Sequence, residues 1–436
     1  MLKFYSTTGP GPVVSLSDAV LNGLAEDGGL YVPVQVPSLS ADLLSSLGTL
    51  SFQEIAYEVG RTLFDEDIPS MVLATIIKEA LYFPVPLVRL AECTYILELF
   101  HGPTLSFKDF GARFLARLMS YFSRGTDCER TVLVATSGDT GSAVASGFFN
   151  VPGIRVVILY PSGQVSQVQE KQLTTYGGNI IALEVQGSFD DCQRLVKLSF
   201  ADAELRSQRL LTTANSINVA RLLPQSFYYV HGYTGLGTKS AEVVFSVPSG
   251  NFGNLTAGLL AKRMGLPVTR LIAATNVNDV VPRYLKTGNF QPRLSQRTCS
   301  NAMDVGNPSN FLRLLELCQL DHQRMREDIW GSSHSDLQTE QAIRRAHEQH
   351  GYLFDPHGAV GLLGLEDYGR KQSLPRPGVI LATAHPSKFP EIIERATGLT
   401  PHLPSQLAEV LRKEKKATLL PNDFRQFQDY LHSLKN

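Results

Sequence analysis

The chain runs to 436 residues, long enough for two or three domains around a large core. Forty Lys and Arg against 41 Asp and Glu leave a net charge of -1, which gives no support to nucleic-acid or membrane-surface binding as the main role. The five cysteines, Cys93, Cys128, Cys192, Cys299 and Cys318, are odd in number, scattered and without a Cys-x-x-Cys pair, which speaks against a disulfide framework or a zinc site and for reduced thiols. The opening Met1-Leu2-Lys3-Phe4-Tyr5-Ser6 lacks a signal-type apolar core, and no later run is long enough to span a bilayer. A soluble cytoplasmic protein is expected.

Residues 1–94 read as a mixed, mostly helical region. Ser15-Leu16-Ser17-Asp18 can cap and begin a helix, Asp27-Gly28-Gly29-Leu30 is a turn, and Ser51-Phe52-Gln53-Glu54 has capping-box spacing. Tyr95 to Phe100 then reads as a buried strand, followed by a Gly-Pro turn and a helix on which Phe110, Phe114, Leu115 and Leu118 recur. Lys108 falls in the first turn of that helix. A cation beside the positive end of a helix dipole, half-buried between Phe107 and Phe110, has its pKa pushed down, and a neutral amine is what attacks an aldehyde. Two readings stand on this stretch alone: a Schiff-base lysine, or an ordinary lysine reaching out from a buried helix.

Further apolar runs alternate with helical patterns at Thr131 to Thr136, Arg155 to Tyr160, Ile180 to Val185, Leu210 to Thr213, Glu242 to Val247, Arg270 to Thr275 and Val379 to Thr383. Continuous apolar strands of this kind indicate parallel sheet covered on both faces, and their number suits two sheets better than one. Between the first run and its helix, Thr136-Ser137-Gly138-Asp139-Thr140-Gly141 presents hydroxyls and N–H groups that suit an anion, although capping alone would explain Ser137 and Asp139. Lys171 is a weaker phosphate candidate. Asn215-Ser216-Ile217-Asn218-Val219-Ala220-Arg221 carries amide, hydroxyl and guanidinium groups suited to a phosphate. Val230 to Gly235 is expected to be a loop. Ser249-Gly250-Asn251-Phe252-Gly253-Asn254, set between strand and helix, forms a phosphate cradle or a plain turn. Asn276 to Asp279 and Ser300 to Asp304 are polar stretches that capping explains without function. Thr383 ends the last strand, where parallel sheets bind ligands. His385 and Lys388 beyond it are candidate phosphate or acid-base groups, although a His-Pro turn is more often structural. From about Pro404 a helical, charged tail is expected, with Arg412 to Lys416 as a solvated face.

Three of these stretches carry a resemblance. His101-Gly102-Pro103-Thr104-Leu105-Ser106-Phe107-Lys108-Asp109-Phe110 resembles the lysine motif of threonine synthases, Pro248-Ser249-Gly250-Asn251-Phe252-Gly253 resembles their phosphate loop, and Thr383-Ala384-His385-Pro386-Ser387-Lys388-Phe389 resembles the stretch that meets their cofactor ring. Asp27-Gly28-Gly29-Leu30 extends the likeness toward the N-terminus. The resemblance implies pyridoxal 5'-phosphate held on Lys108 as a Schiff base, with contacts from Gly250, Asn251, Phe252, Gly253, Asn254 and Thr383. It implies a substrate site of Thr136, Ser137, Asp139, Thr140, Asn215, Ser216, Asn218 and Arg221, and no metal.

The implied fold is α/β, two parallel-sheet lobes of the tryptophan-synthase-β-like (type II) pyridoxal-phosphate class behind an N-terminal mostly helical region. Residues 95–111 and 216–436 would form the large cofactor-binding domain and 112–215 the small one. The implied reaction converts O-phospho-L-homoserine and water to L-threonine and phosphate, with Lys108 moving the protons, in a cytoplasmic enzyme for which a monomer is one option. A phospho-lyase releasing 2-oxobutyrate is the rival enzyme. A non-catalytic cofactor-binding scaffold is the rival class, and it has no physical need for the lysine.

Overall fold

The computed structural model describes residues 1–9, 11–126, 128–237, 242–372 and 377–434. Among the described residues the strands are, in chain order, β1 (Lys3–Ser6), β2 (Val14–Ser15), β3 (Tyr31–Pro33), β4 (Leu87–Ala91), β5 (Thr94–Glu98), β6 (Arg130–Ala135), β7 (Ile154–Pro161), β8 (Ile180–Gln186), β9 (Leu210–Thr213), β10 (Val243–Pro248), β11 (Val268–Thr275), β12 (Ile329–Ser333), β13 (Gly378–Ala382) and β14 (Thr418–Pro421). They form a small antiparallel sheet, β2-β1-β3, and two larger sheets. One has the order β12-β11-β10-β13-β5-β4, parallel except for β4. The other, β14-β8-β7-β6-β9, is parallel throughout.

The two-lobe α/β architecture is as expected, and the continuous apolar runs explain it. Strands β6 and β10 are buried at every residue, as only a sheet covered on both faces requires. The two sheets share the chain differently from the expected division. Strand β4, inside the expected N-terminal region, pairs with β5 in the six-stranded sheet. Strand β14, in the segment expected with the larger lobe, closes the outer edge of β8, with Leu420, Phe427 and Leu431 buried against Leu183, Val185, Cys192 and Leu195. An uncovered β8 would expose an unpaired row of backbone groups, and the C-terminal segment covers it.

The helix Lys108–Phe122 lies between the lobes. Phe110 is wholly buried and meets the edges of Phe52, Phe83 and Tyr228 at centroid distances of 5.6, 4.9 and 5.1 Å. The N-terminal helices cover its other side, where Arg113 Nε donates to the Ala80 carbonyl (3.0 Å). Truncating a ring held on so many sides costs about 3–5 kcal/mol, so the start of this helix is firmly seated.

Candidate active site

A cleft of ≈ 1980 Å³ separates the lobes, and Lys108, Thr136, Ser137, Asp139, Thr140, Asn215, Ser216, Arg221, Gly250 to Asn254 and Thr383 all line it. The lysine loop is stitched to the end of β13. Phe107 N donates to Thr383 O (2.9 Å), His385 N donates to Leu105 O (3.1 Å), and Ser106 bridges Ala384. Leu105 takes a left-handed backbone (φ 56°), an unfavourable state for leucine that this stitching sustains. Asp109 accepts bonds from Thr104 N (2.9 Å) and Thr104 Oγ1 (2.8 Å), and burial pushes its carboxyl up to about 6 against those bonds.

No side chain caps the lysine helix at Phe107. The Lys108 amine sits 4.9 Å from the centroid of the Phe107 ring, with the side chain 16% exposed. Burial pushes its pKa down, Asp139 opposes that, and Lys388 and Arg221 add to it. The depressed amine expected from the sequence is present, inside the cleft.

The glycine loop follows β10. Gly250 lies so close to the turn Asn301–Met303 that a Cβ there would stand 2.7 Å from Met303 Cα. Phe252 is left-handed (φ 60°), and the helix Gly253–Arg263 starts from it without a side-chain cap, leaving N–H groups at a positive dipole end. The Asn251 side chain works on the loop itself: Nδ2 donates to Ser216 Oγ (2.8 Å) and Oδ1 accepts from Ser309 N (2.6 Å). Asn254 differs. Its Oδ1 accepts from Tyr228 (2.7 Å) and Tyr229 (2.8 Å), while its buried Nδ2 has no partner.

Those tyrosines correct one expectation. Residues 225–234 form a helix, Gln225–Thr234, and not a loop. Most of its residues are buried, so no polar face marks the helical period in the sequence. Gly232, which suggested a turn, is there because a Cβ would come 3.2 Å from Leu97 Cδ2 and 3.3 Å from Phe245 Cε1.

The second anion loop is also corrected in part. Thr136 Oγ1 accepts from Gly138 N (3.0 Å) and Gly141 N (2.8 Å), and Gly138 has a φ of 141°, in a region other residues rarely adopt. Asp139 opens the helix Asp139–Phe148, but its carboxylate is taken up by Lys388 Nζ (2.7 Å) and Gln169 Nε2 (2.9 Å) and lies 3.8 Å from Lys108 Nζ. Burial works against its ionisation, yet the two lysines outweigh burial and hold its carboxyl well below the usual range. A carboxylate cannot grip another carboxylate, so the Asp139 side chain is not a substrate-carboxylate contact.

Of the remaining expected contacts, Asn215 Nδ2 donates to Ala135 O (2.8 Å) and Ser216 Oγ accepts from Asn251 and from Asn310 Nδ2 (3.1 Å). Arg221 is buried, donates from Nη1 to Ala214 O (2.6 Å) and leaves Nε without a partner. Asn218 does not face the cleft. It is fully buried, with Nδ2 on Val20 O (3.0 Å) and Thr213 O (3.1 Å) and Oδ1 accepting from Ala220 N, which makes it a structural amide. Lys171 donates to Lys413 O (2.6 Å), away from the cleft. Asn276 and Asn278 donate to Asp304 Oδ1 (2.9 and 3.2 Å), and it is Asp304 that reaches the cleft lining. The expected solvated run is partly engaged, since Lys415 pairs with Glu170 and Glu184 at 2.6 Å.

Sequence reasoning missed two supports. Arg313, wholly buried, donates to Tyr31 O (2.9 Å), Ser216 O (2.9 Å), Asn310 Oδ1 (2.7 Å) and Ile217 O (2.5 Å), fixing the 215–218 turn beside the glycine loop. His357 lines the cleft with Nδ1 on Asp355 Oδ2 (2.6 Å) and Nε2 accepting from Ala302 N (3.3 Å), so it steadies the turn that abuts Gly250. Asp355 before a proline was a helix-start signal that would have flagged the pair.

His385 is structural, as expected. Its Nδ1 accepts from Ser387 N (3.1 Å), and burial, with the nearby His101 adding to it, pushes its pKa down to about 4. The unfolded chain therefore binds more protons across about pH 4 to 6.5, and stability falls as pH drops through that window. His385→Asn, which keeps an acceptor, is expected to recover about 1–2 kcal/mol of the loss between about pH 7 and pH 5, read from urea midpoints.

Residues 79–384 match the family description "Pyridoxal-phosphate dependent enzyme", residues 3–81 match "Threonine synthase N terminus" and residues 358–431 match "Threonine synthase, C-terminal". The chain is 44% identical over 435 residues to the threonine synthase of Haemophilus influenzae, covering 99% of each. It belongs to the threonine synthase family. The threonine synthase of Escherichia coli strain K12 is 42% identical over 429 residues, 97% of each chain. The solved structure of PLP-bound threonine synthase from Brucella melitensis matches with a TM-score of 0.92 at 38% identity, covering 99% of each.

The cofactor of this chain is pyridoxal 5'-phosphate, and the residues present fit it. A buried amide donor without a partner, Asn254 Nδ2, stands at an uncapped helix start and calls for an acceptor. The Lys108 amine and the Thr383 hydroxyl share that cleft.

Proposed function

We propose that the chain converts O-phospho-L-homoserine and water to L-threonine and inorganic phosphate, with Lys108 as both the cofactor-bearing amine and the travelling base. The observation that carries this reading is a half-buried amine, its pKa pushed down by desolvation, in the same cleft as the uncapped helix Gly253–Arg263. Bound pyridoxal phosphate supplies an aldehyde for the amine and withdraws electrons from the substrate's α-carbon.

The chain's own residues do the rest. The backbone of Gly250 to Asn254, with Asn254 Nδ2, receives the cofactor phosphate, and Asn251 keeps that loop on Ser216. The Thr383 hydroxyl, in the cleft at the end of β13, would meet the ring nitrogen of the bound cofactor. Thr136, Ser137 and Thr140, at the start of the helix Asp139–Phe148, orient the substrate carboxylate through hydroxyl and N–H groups. Arg221, with Asn215 and Ser216, faces the substrate phosphate, and the free Nε of this buried guanidinium supports an anionic neighbour. Once free, Lys108 takes the proton from the α-carbon, gives it up, and then takes one from the β-carbon as phosphate leaves the γ-carbon. The two protons are returned to the γ-carbon and the α-carbon, while water supplies the β-hydroxyl and its proton leaves with the phosphate. A water directed to the β-carbon completes the product, so the cleft must hold back all others.

We place this reaction in the cytoplasm. Free thiols at all five cysteines support a reducing compartment, and among the described residues no helix is long and apolar enough to cross a membrane. Incubation with phosphohomoserine, followed by separate assays for threonine, 2-oxobutyrate and phosphate, is expected to give threonine and phosphate in equal amounts. 2-Oxobutyrate as the main product, or no phosphate release, overturns the reading.

A further inference from the structure

Lys388 is a buried amine that the reaction does not use. It ends the turn Pro386–Lys388 after β13, is 0% exposed and does not line the cleft. Its Nζ donates to Thr104 O (3.0 Å) and pairs with Asp139 Oδ1 at 2.7 Å, while Oδ2 of that same carboxylate stands 3.8 Å from Lys108 Nζ. One carboxylate thus lies between two lysines and is bound to the one that does no chemistry. Gln169 Nε2 adds a bond to the Lys388-facing oxygen at 2.9 Å and further fixes its direction.

The physical consequence concerns charge. A buried carboxylate with no other partner would close on Lys108 and keep its amine as an ammonium, which is not a nucleophile. A carboxylate already neutralised by a second lysine exerts far less pull. We propose that Lys388 is a positioning residue that draws Asp139 away from Lys108 and so keeps the reactive amine available, while tying the lysine loop, the end of β13 and the small lobe together. The other charged groups facing this cluster are Asp109 and Arg113 on the lysine helix, Arg221 and Asp355. None of them bonds to Asp139. Removing Lys388 takes a positive charge from beside Lys108 and frees the carboxylate to approach it, and both changes raise the Lys108 pKa. The proposal rests on Lys108 being the reactive amine.

The test uses the full chain stripped of cofactor, labelled with trace acetic anhydride across a pH series, with the Lys108 peptide quantified by mass spectrometry. Lys388→Met is expected to move the Lys108 labelling curve upward by about one pH unit, roughly a tenfold drop in neutral amine at a given pH. Lys388→Arg is expected to shift it by less than about half a unit, and Lys388→Met combined with Asp139→Asn to bring it back near the parent, as coupled sites require. An unshifted curve in folded Lys388→Met overturns the proposal, as does a double variant shifted as far as the single one. If Lys388→Met does not fold, a folded double variant with the parental curve still supports the pairing, and an unfolded double variant overturns it. Borohydride reduction of the parent with pyridoxal phosphate, followed by peptide mapping, decides separately whether Lys108 is the cofactor lysine.

Discussion

Lys108→Ala yields a folded protein that takes on no visible absorbance with pyridoxal phosphate and turns over phosphohomoserine at least about 10⁴-fold more slowly. The size of the effect follows from one amine serving as both cofactor attachment and base. Lys388, the nearest candidate to stand in, is fully buried and fixed between Asp139 and Thr104. The variant does not lose stability. Burial holds the Lys108 pKa below its unfolded value, so below that value the unfolded chain binds more protons and the charged lysine weakens the fold. Alanine removes that penalty, and the cofactor-free variant is expected to reach or exceed the parental urea midpoint. A coloured, active variant contradicts the assignment, and one with lost helicity contradicts the account of its burial.

Gly250→Ala is expected to weaken cofactor binding by about 10–100-fold, read by titrating stripped protein with pyridoxal phosphate. The added Cβ would meet Met303 Cα at 2.7 Å and Ala302 O at 2.8 Å, both backbone atoms that no side-chain rotation can move aside. The turn it meets is braced, with Met303 N on Ser300 O (2.9 Å) and Ala302 N on His357. The glycine loop must therefore give way, at a cost of about 1–3 kcal/mol, and it carries the N–H groups with it. Gly369→Ala is the control. Nothing lies within 4 Å of a Cβ at this helical position, and the variant is expected to bind cofactor normally. Normal affinity in Gly250→Ala would show that the loop is not what holds the phosphate.

Several parts of this site were legible in the sequence because their signals are local. The strands announce themselves as unbroken apolar runs; Gly250 to Asn254 and Thr383 sit where a strand ends and Lys108 opens a helix, each inside a few consecutive residues of distinctive type. What escaped depends on distant contacts. The helix Gln225–Thr234 is buried around most of its circumference, so the periodic polar face that betrays a helix is missing. Asn218 carries the same amide as Asn215, and only the presence of Val20 O and Thr213 O beside it turns it inward. Asp139 reads as a cap or an anion-loop residue until Lys388 is placed 2.7 Å away. Arg313, within Phe311-Leu312-Arg313-Leu314, looks like one charge on an amphipathic helix, and nothing adjacent says that its guanidinium collects four acceptors.

The route of the backbone bears on how such a cleft can open. The chain leaves the six-stranded sheet after β5, returns to it at β10, and leaves again to place β14 beside β8, so three separate peptide tethers join the halves. A body held by a single tether can swivel about any axis, whereas one held at three points keeps only the rotation whose axis passes close to all of them. Domain motion here is thereby reduced to a door swinging on three pins, and severing the last pin between residues 399 and 404 is the cut that would let the door wobble.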